Sequence, residues 1–156
     1  LAEALECPQS DVDGMVIGGH SDVGMVPLIE KAARNSVKVS EFLSDEKMQE
    51  VVEATKVGGA TLTGLLGTSA WYAPGAAVSA LVQAIAQDSH KMFPCSAMLD
   101  GEYGLNDISI GVPCVLGKNG IERIVEVSLS DAESAKMVQS AEGVKKTNAL
   151  LDGILA

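Results

Sequence analysis

Along residues 44–66, SDEKMQEVVEATKVGGATLTGLL, the face positions Met48, Val51, Val52 and Thr55 return at helical spacing. Ser44 reads as the N-cap of this helix, with Lys47 rather than a glutamate three residues on, and Gly58 and Gly59 are expected to weaken or kink it. In WYAPGAAVSALVQAIAQD, Pro74 suits the first turn of a second helix, where its missing N–H has no intrahelical partner to lose. Val78, Leu81, Val82 and Ile85 predict that helix's core-facing stripe, with subunit contact left open for Val78, Leu81 and Val82. Ser130 and Glu133 form a capping box for a third helix, whose buried face is predicted at Met137, Ala141, Val144 and Leu151. Between the helices the period changes. Residues 15–18 make a short β-prone run between glycines, residues 90–99 (HKMFPCSAML) read as a strand, and ISIGVPCVLG and IERIVEVSL flank Lys118-Asn119-Gly120 as two more. Asn119-Gly120 predicts a hairpin with a type I′ turn, which needs positive φ at both central positions. Helices lying on a mostly antiparallel sheet make the expected fold α+β.

Residues 1–156 read as one unit, with no internal repeat, low-complexity tract or linker. The first residues, LAEALECPQSDVDGM, look like the last turn of a helix already under way and stopped near Pro8, so a piece of a longer protein is expected. With 47% hydrophobic residues but 3% aromatics, the core should be aliphatic. A net charge of −10 opposes binding to polyphosphate backbones, which excludes nucleic acid as the expected partner. No apolar run is long enough to span a bilayer, and no signal peptide opens the chain, so no membrane partner is expected. Cys7, Cys95 and Cys114 are odd in number and widely spaced; buried reduced thiols and a cytoplasmic location are expected.

The stretch GGHSDVGMVPL, residues 18–28, carries the candidate chemistry. A lone histidine is more often a surface residue or a satisfied core donor than a functional one. His20, however, sits just past a strand end among glycines, where backbone approaches a ligand closely and a side chain projects into a cleft. An imidazole as a side-chain type is able to exchange a proton with an alcohol or carbonyl. Asp22 is the local carboxylate; its alternative role is to order the loop through backbone bonds. His90, in QDSHKMF, has charged neighbours and no such setting. No metal site is expected, since His20 and Asp22 lack a second histidine or a spaced carboxylate.

GGHSDVGMVPL resembles the G-G-H-G-D-x-M-V-P segment of the lactate/malate dehydrogenase superfamily. The resemblance extends through most of the chain. LAEALECPQSDVDGMVIGGH is similar to the helix and strand that lead to the family's catalytic histidine, TSAWYAPGAAVSALVQAI to the helix that closes the substrate pocket, and LDGEYGLNDISIGVPCVLGKNGIERIVEVSLSDAE to the carboxy-terminal hairpin and helix. The glycine pair before the histidine and the alanine-proline step of WYAPGAA look like malate dehydrogenases of the lactate-dehydrogenase-like type.

The resemblance implies the fold of the C-terminal, substrate-binding and catalytic domain, an oxidoreductase interconverting malate and oxaloacetate as in the tricarboxylic acid cycle, and NAD as cofactor. It implies His20 as proton donor and acceptor, Ser69 and Ala70 at the pocket floor, Pro74 near the nicotinamide, and a homo-dimer or homo-tetramer. The family writes one residue between the loop aspartate and M-V-P, whereas Val23 and Gly24 both stand here, lengthening the loop. The family's glycine-rich phosphate turn, mobile loop and Asp-x-x-Arg pair have no counterpart in these residues; GGATLTG and GLLGTSAWYAPG are helix segments and not phosphate turns. The N-terminal Rossmann half is thus absent, and the chain alone is expected to bind NAD poorly and to be inactive without that half. Two other functions stay open: a non-catalytic oligomerisation or binding module of the same fold, and a domain acting on lactate or another 2-hydroxy acid.

Overall fold

Residues 1–7 form one helical turn in which the Leu5 N–H donates to the Leu1 carbonyl at 2.9 Å. Glu6, at φ +49°, turns the chain out of it, and the Cys7 and Glu6 amides cap the Ala2 and Glu3 carbonyls at 3.0 and 3.1 Å. These are the paired bonds of a Schellman ending, so the expected helix end is present. The computed structural model describes residues 1–21 and 23–155, with side chains described as far as Leu151. In chain order follow β1 (Val12–Asp13), β2 (Val16–Gly18), β3 (Met25–Pro27), β4 (Ala33–Arg34), β5 (Val37–Lys38), α1 (Asp45–Leu66), α2 (Tyr72–Ala86), β6 (Lys91–Asp100), β7 (Asn106–Gly117), β8 (Gly120–Ile124) and α3 (Asp131–Leu155). The fold is α+β, and every strand pair described is antiparallel.

Five strands make the main sheet, in the order β3-β2-β7-β6 with β8 also paired to β7. Strand β7 is its spine: Ile108, Ile110, Val112, Cys114 and Leu116 alternate into the core. On β6 the same alternation buries Ala97 and Leu99 and leaves Met98 exposed. Ala84 of α2 and Met137 and Ala141 of α3 complete this aliphatic core. A second, small core of Leu5, Ala32, Val39 and Met48 lies where the first turn of α1 meets the chain's beginning. The three-stranded sheet β1-β4-β5 belongs to the same early part of the chain.

The helix starts lie where local chemistry puts them. Ser44 Oγ accepts the Lys47 N–H at 3.3 Å. Ser130 and Glu133 bond reciprocally, the Ser130 N–H to Glu133 Oε2 at 2.8 Å and the Glu133 N–H to Ser130 Oγ at 3.3 Å. Helix α1 runs without a break through Gly58 and Gly59, the pair expected to weaken or kink it. Glycine keeps both backbone hydrogen-bonding groups, and a cost of about 1 kcal/mol per residue does not end a helix of this length. The helix stops instead at Gly67, in the left-handed region at φ +68°, whose N–H closes on the Thr63 carbonyl.

Several expected faces are corrected. Helix α2 seats on Ala84, flanked by half-buried Leu81 and Ile85, so Val78 and Val82 fall outside the contact and are 57% and 59% exposed. Leu151 is also exposed, because only the first half of α3 lies over the sheet, and on α1 Thr55 points to solvent. At the hairpin, Gly117 pairs with Gly120, so Lys118 and Asn119 are the central residues. Only Gly120 has positive φ, +96°, and the register shifts between Val115 and Leu116. That is a turn followed by a glycine in the left-handed region with a bulge, rather than a type I′ turn. Strand β8 ends at Ile124 rather than running through Leu129. Beyond it the chain bonds to Tyr103, whose hydroxyl donates to the Val125 carbonyl (3.2 Å) and accepts the Val127 N–H (3.0 Å).

All three cysteines are free, but only Cys114 is fully buried; Cys7 and Cys95 are half-buried. Burial pushes the Cys114 thiol up to about 11, with the neighbouring Cys95 adding to the effect. In the folded chain, iodoacetamide at pH 8 is expected to leave Cys114 unmodified, while the denatured chain takes up three labels, as read by peptide mass spectrometry. The sign for stability follows. The folded thiol keeps its proton where the unfolded one, at its ordinary 9.0, releases it, so this group's contribution is complete below pH 9 and is lost as pH rises through about 11.

Candidate functional site

The end of β2 is built on glycine for a steric reason. Gly18 pairs with Met25 on one side and with Gly111 of β7 on the other, at φ +91°. A Cβ on Gly111 would lie 2.6 Å from the Gly18 carbonyl oxygen, and one on Gly18 would overlap the Gly24 carbonyl oxygen. Two strands and a loop thus converge on a point where no side chain fits. Gly19, which is buried, carries the chain out of the sheet to His20.

The loop that follows is knotted by its own backbone. The Ser21 N–H donates to the Gly19 carbonyl at 3.0 Å, and the Ser21 carbonyl accepts from both Gly24 and Met25 at 2.9 Å. Ser21 Oγ also accepts the Gly24 N–H at 3.0 Å. Val23 projects outward and Gly24 is buried. The apolar run keeps its place, with Ile17 opposite Val26 and Val16 opposite Pro27. Asp22 lies outside the described residues.

His20 is exposed and stands at the lip of two concavities. The larger, about 520 Å³, opens between its loop and α3, where Gln139, Glu142, Gly143, Lys146 and Thr147 line the far wall. The other, about 400 Å³, runs along the edge of β2 over Pro94, Cys95 and Ser96 of β6. A ring so placed is open to a solute yet anchored on a backbone locked behind it. An imidazole in that position is chemically able to exchange a proton with a ligand held in either concavity.

The structure does not bring the other expected site residues to this place within the chain. Ser69 is exposed and Ala70 half-buried on the link between α1 and α2, Pro74 is exposed in the first turn of α2, and none of the three lines either concavity. Leu65 and Leu66 at the end of α1, Trp71 on the link and Tyr72 at the start of α2 are exposed as well, so this end of the helix pair presents apolar surface to solvent. His90 belongs to a different corner. Its Nδ1 is 2.7 Å from Glu122 Oε2 and its Nε2 3.6 Å from Asp88 Oδ1, and Asp88 in turn accepts the Lys118 N–H at 2.8 Å. These three side chains are close enough together to hold a cation, and His20 is not among them.

One residue beside His20 is missed by pattern reading: Ser140 of α3, whose hydroxyl bonds both the Gly19 N–H and the Gly24 carbonyl at 2.7 Å. Its signal in the sequence is a single hydroxyl on the apolar face marked by Met137, Ala141 and Val144.

Residues 1–150 match the family model described as lactate/malate dehydrogenase, alpha/beta C-terminal domain. The chain is 54% identical over 155 residues to the malate dehydrogenase of Flavobacterium frigidimaris, covering 99% of this chain and 50% of that protein. Among solved structures it superposes on the malate dehydrogenase from Salinibacter ruber with a TM-score of 0.94 at 41% identity, covering 98% of this chain and 50% of that one. A Cryptosporidium parvum lactate dehydrogenase, solved with lactic acid and nicotinamide adenine dinucleotide, matches with a TM-score of 0.92 at 33% identity over 97% of this chain and 49% of its own. The chain spans about half the length of the curated relatives it matches.

Proposed function

Because the chain belongs to the lactate/malate dehydrogenase family through its α/β C-terminal domain, we propose that it is the substrate-binding, proton-transferring half of an NAD-dependent malate dehydrogenase. The observation that carries this reading is His20, held at the lip of two concavities on a locked loop. On malate oxidation its imidazole takes the C2 hydroxyl proton; on oxaloacetate reduction it returns that proton to the carbonyl oxygen. NAD, when bound, supplies the hydride acceptor. The described residues do not fit the body of that cofactor: with every strand pair antiparallel, no βαβ unit presents a helix start to a pyrophosphate. The nucleotide is therefore assigned to a separate N-terminal Rossmann half, and the isolated chain is inactive.

Malate rather than lactate is supported by the higher identity to relatives named malate dehydrogenase. Ser69, Ala70 and Pro74 keep their proposed places at the pocket floor and the nicotinamide in the complete protein, where the exposed α1–α2 link meets the other half, and Asp22 keeps its proposed part in ordering the loop. The apolar exposure of Val78 and Val82 supports a homo-dimer or homo-tetramer. Among the described residues no helix is long and apolar enough to cross a membrane.

Mixing or fusing this polypeptide with the nucleotide-binding half of a malate dehydrogenase relative tests the proposal. The expected result is oxaloacetate-dependent NADH oxidation, well above that with pyruvate. An assembled, NADH-binding complex with no such turnover would overturn the catalytic assignment and leave the binding-module function.

A further inference from the structure

The loop that carries His20 is held from the far end of the chain. Ser140, 3% exposed, stands on α3 between the core residues Met137 and Ala141. Its hydroxyl accepts the Gly19 N–H and donates to the Gly24 carbonyl, each at 2.7 Å and across 121 and 116 residues of sequence. A hydroxyl has one proton to give and lone pairs to receive, so a single side chain satisfies a donor on one shoulder of the loop and an acceptor on the other. Both shoulder residues are buried, so a polar group left unpaired there is costly.

The fit around this hydroxyl is tight. A Cβ on Gly18 would approach Ser140 Oγ to 3.0 Å and one on Gly19 to 3.3 Å, and the latter would also lie 3.1 Å from Cγ2 of Val144, one turn further along α3. Gly24 is pressed in the same way, by Ser21 Oγ and the Gly19 carbonyl. The glycines of the histidine segment are thus spaces cut for this hydroxyl and for the carbonyls it gathers. Between the two anchored residues His20, Ser21 and Val23 are exposed, and His20 is the first of them.

We infer that Ser140 is a positioning residue, clasping both ends of the loop so that the His20 ring meets its ligand in one orientation. The inference rests on the reading of His20 as the proton-transferring group. Proton transfer demands hydrogen-bond reach, and small misplacements of a reacting group cost rate steeply. The clasp acts at the residue adjoining the ring, so its loss is expected to appear in turnover more than in ligand affinity.

Ser140→Ala removes the hydroxyl, and Ser140→Cys keeps the side chain's shape with a somewhat larger sulfur that is only a weak donor and acceptor. In the 156-residue chain both variants are expected to speed hydrogen exchange at the Gly19 amide by at least about tenfold, read by NMR. In the chain fused to a nucleotide-binding half, both are expected to lower kcat for oxaloacetate reduction by about tenfold or more, with KM and NADH affinity within about twofold. Cysteine fills the space, so parent-like turnover or parent-like Gly19 protection in Ser140→Cys would show that the side chain only packs and would overturn the inference. His20→Asn in the same fusion separates the two levels. If it abolishes turnover while Ser140→Cys does not reduce it, only the clasp fails; if His20→Asn turns over like the parent, the reading beneath it fails and the clasp's catalytic role goes with it.

Discussion

His20→Asn, in the chain joined to a nucleotide-binding half, is expected to lower kcat/KM for oxaloacetate reduction by about 10²–10⁴-fold, the range in which a positioned general acid or base contributes. Asparagine keeps a polar group of similar reach but does not titrate near neutral pH, so it neither delivers nor recovers the proton. Stability should stay within about 0.5 kcal/mol of the parent, because the ring is exposed and makes no described hydrogen bond in the fold. NADH affinity should also be unchanged, since the nucleotide is assigned to the other half. Steady-state rates with oxaloacetate, beside a denaturation curve and an NADH titration, check all three. A folded, NADH-binding variant with less than about tenfold loss would remove His20 from the reaction.

Gly18→Ala is expected to destabilise the chain by at least about 3 kcal/mol, and Gly111→Ala by a similar amount, read from urea denaturation midpoints. Two costs combine at Gly18: a left-handed φ of +91°, which an L side chain adopts at a penalty of about 1 kcal/mol or more, and a Cβ that overlaps the Gly24 carbonyl. Neither cost relaxes cheaply, because the obstruction is backbone, held in turn by Ser140 and by the β2–β3 ladder. At Gly111 the obstruction is the Gly18 carbonyl, 2.6 Å from the added carbon. Gly58→Ala is the contrasting control. It stands in an exposed stretch of α1 with nothing within 4 Å of its added Cβ, so the change should stabilise by about 0.4–1 kcal/mol through helix propensity and the unfolded chain. Equal effects at Gly18 and Gly58 would contradict the convergence at the end of β2.

This contrast also separates what pattern reading recovers from what it does not. Gly18-Gly19 and Gly58-Gly59 are the same dipeptide. One is required by atoms contributed from Gly24, Gly111 and Ser140, and the other is merely tolerated by a helix. The candidate histidine was legible because its setting among glycines is local. Its clasp was not, since Ser140 reaches it across more than a hundred residues and reads on its own as one hydroxyl on an apolar face. The seating of α2 is not legible for a related reason. Periodicity marks Val78, Leu81, Val82 and Ile85 as one stripe, but how the helix is turned on the sheet is set by small Ala84.

The sequence by itself determined the elements whose causes lie within a few residues: the Ser44 and Ser130 caps, the glycine stop after α1, the alternation of β6 and β7, and hence the α+β class. Those depend on bonds and periods spanning about one turn or one strand pair. Tertiary structure alone decided where β8 yields to the Tyr103 hydroxyl, which helix faces are left bare, and how the loop bearing His20 is pinned between β2 and α3. Each of these depends on atoms brought together by chain closure, and no local pattern encodes that distance.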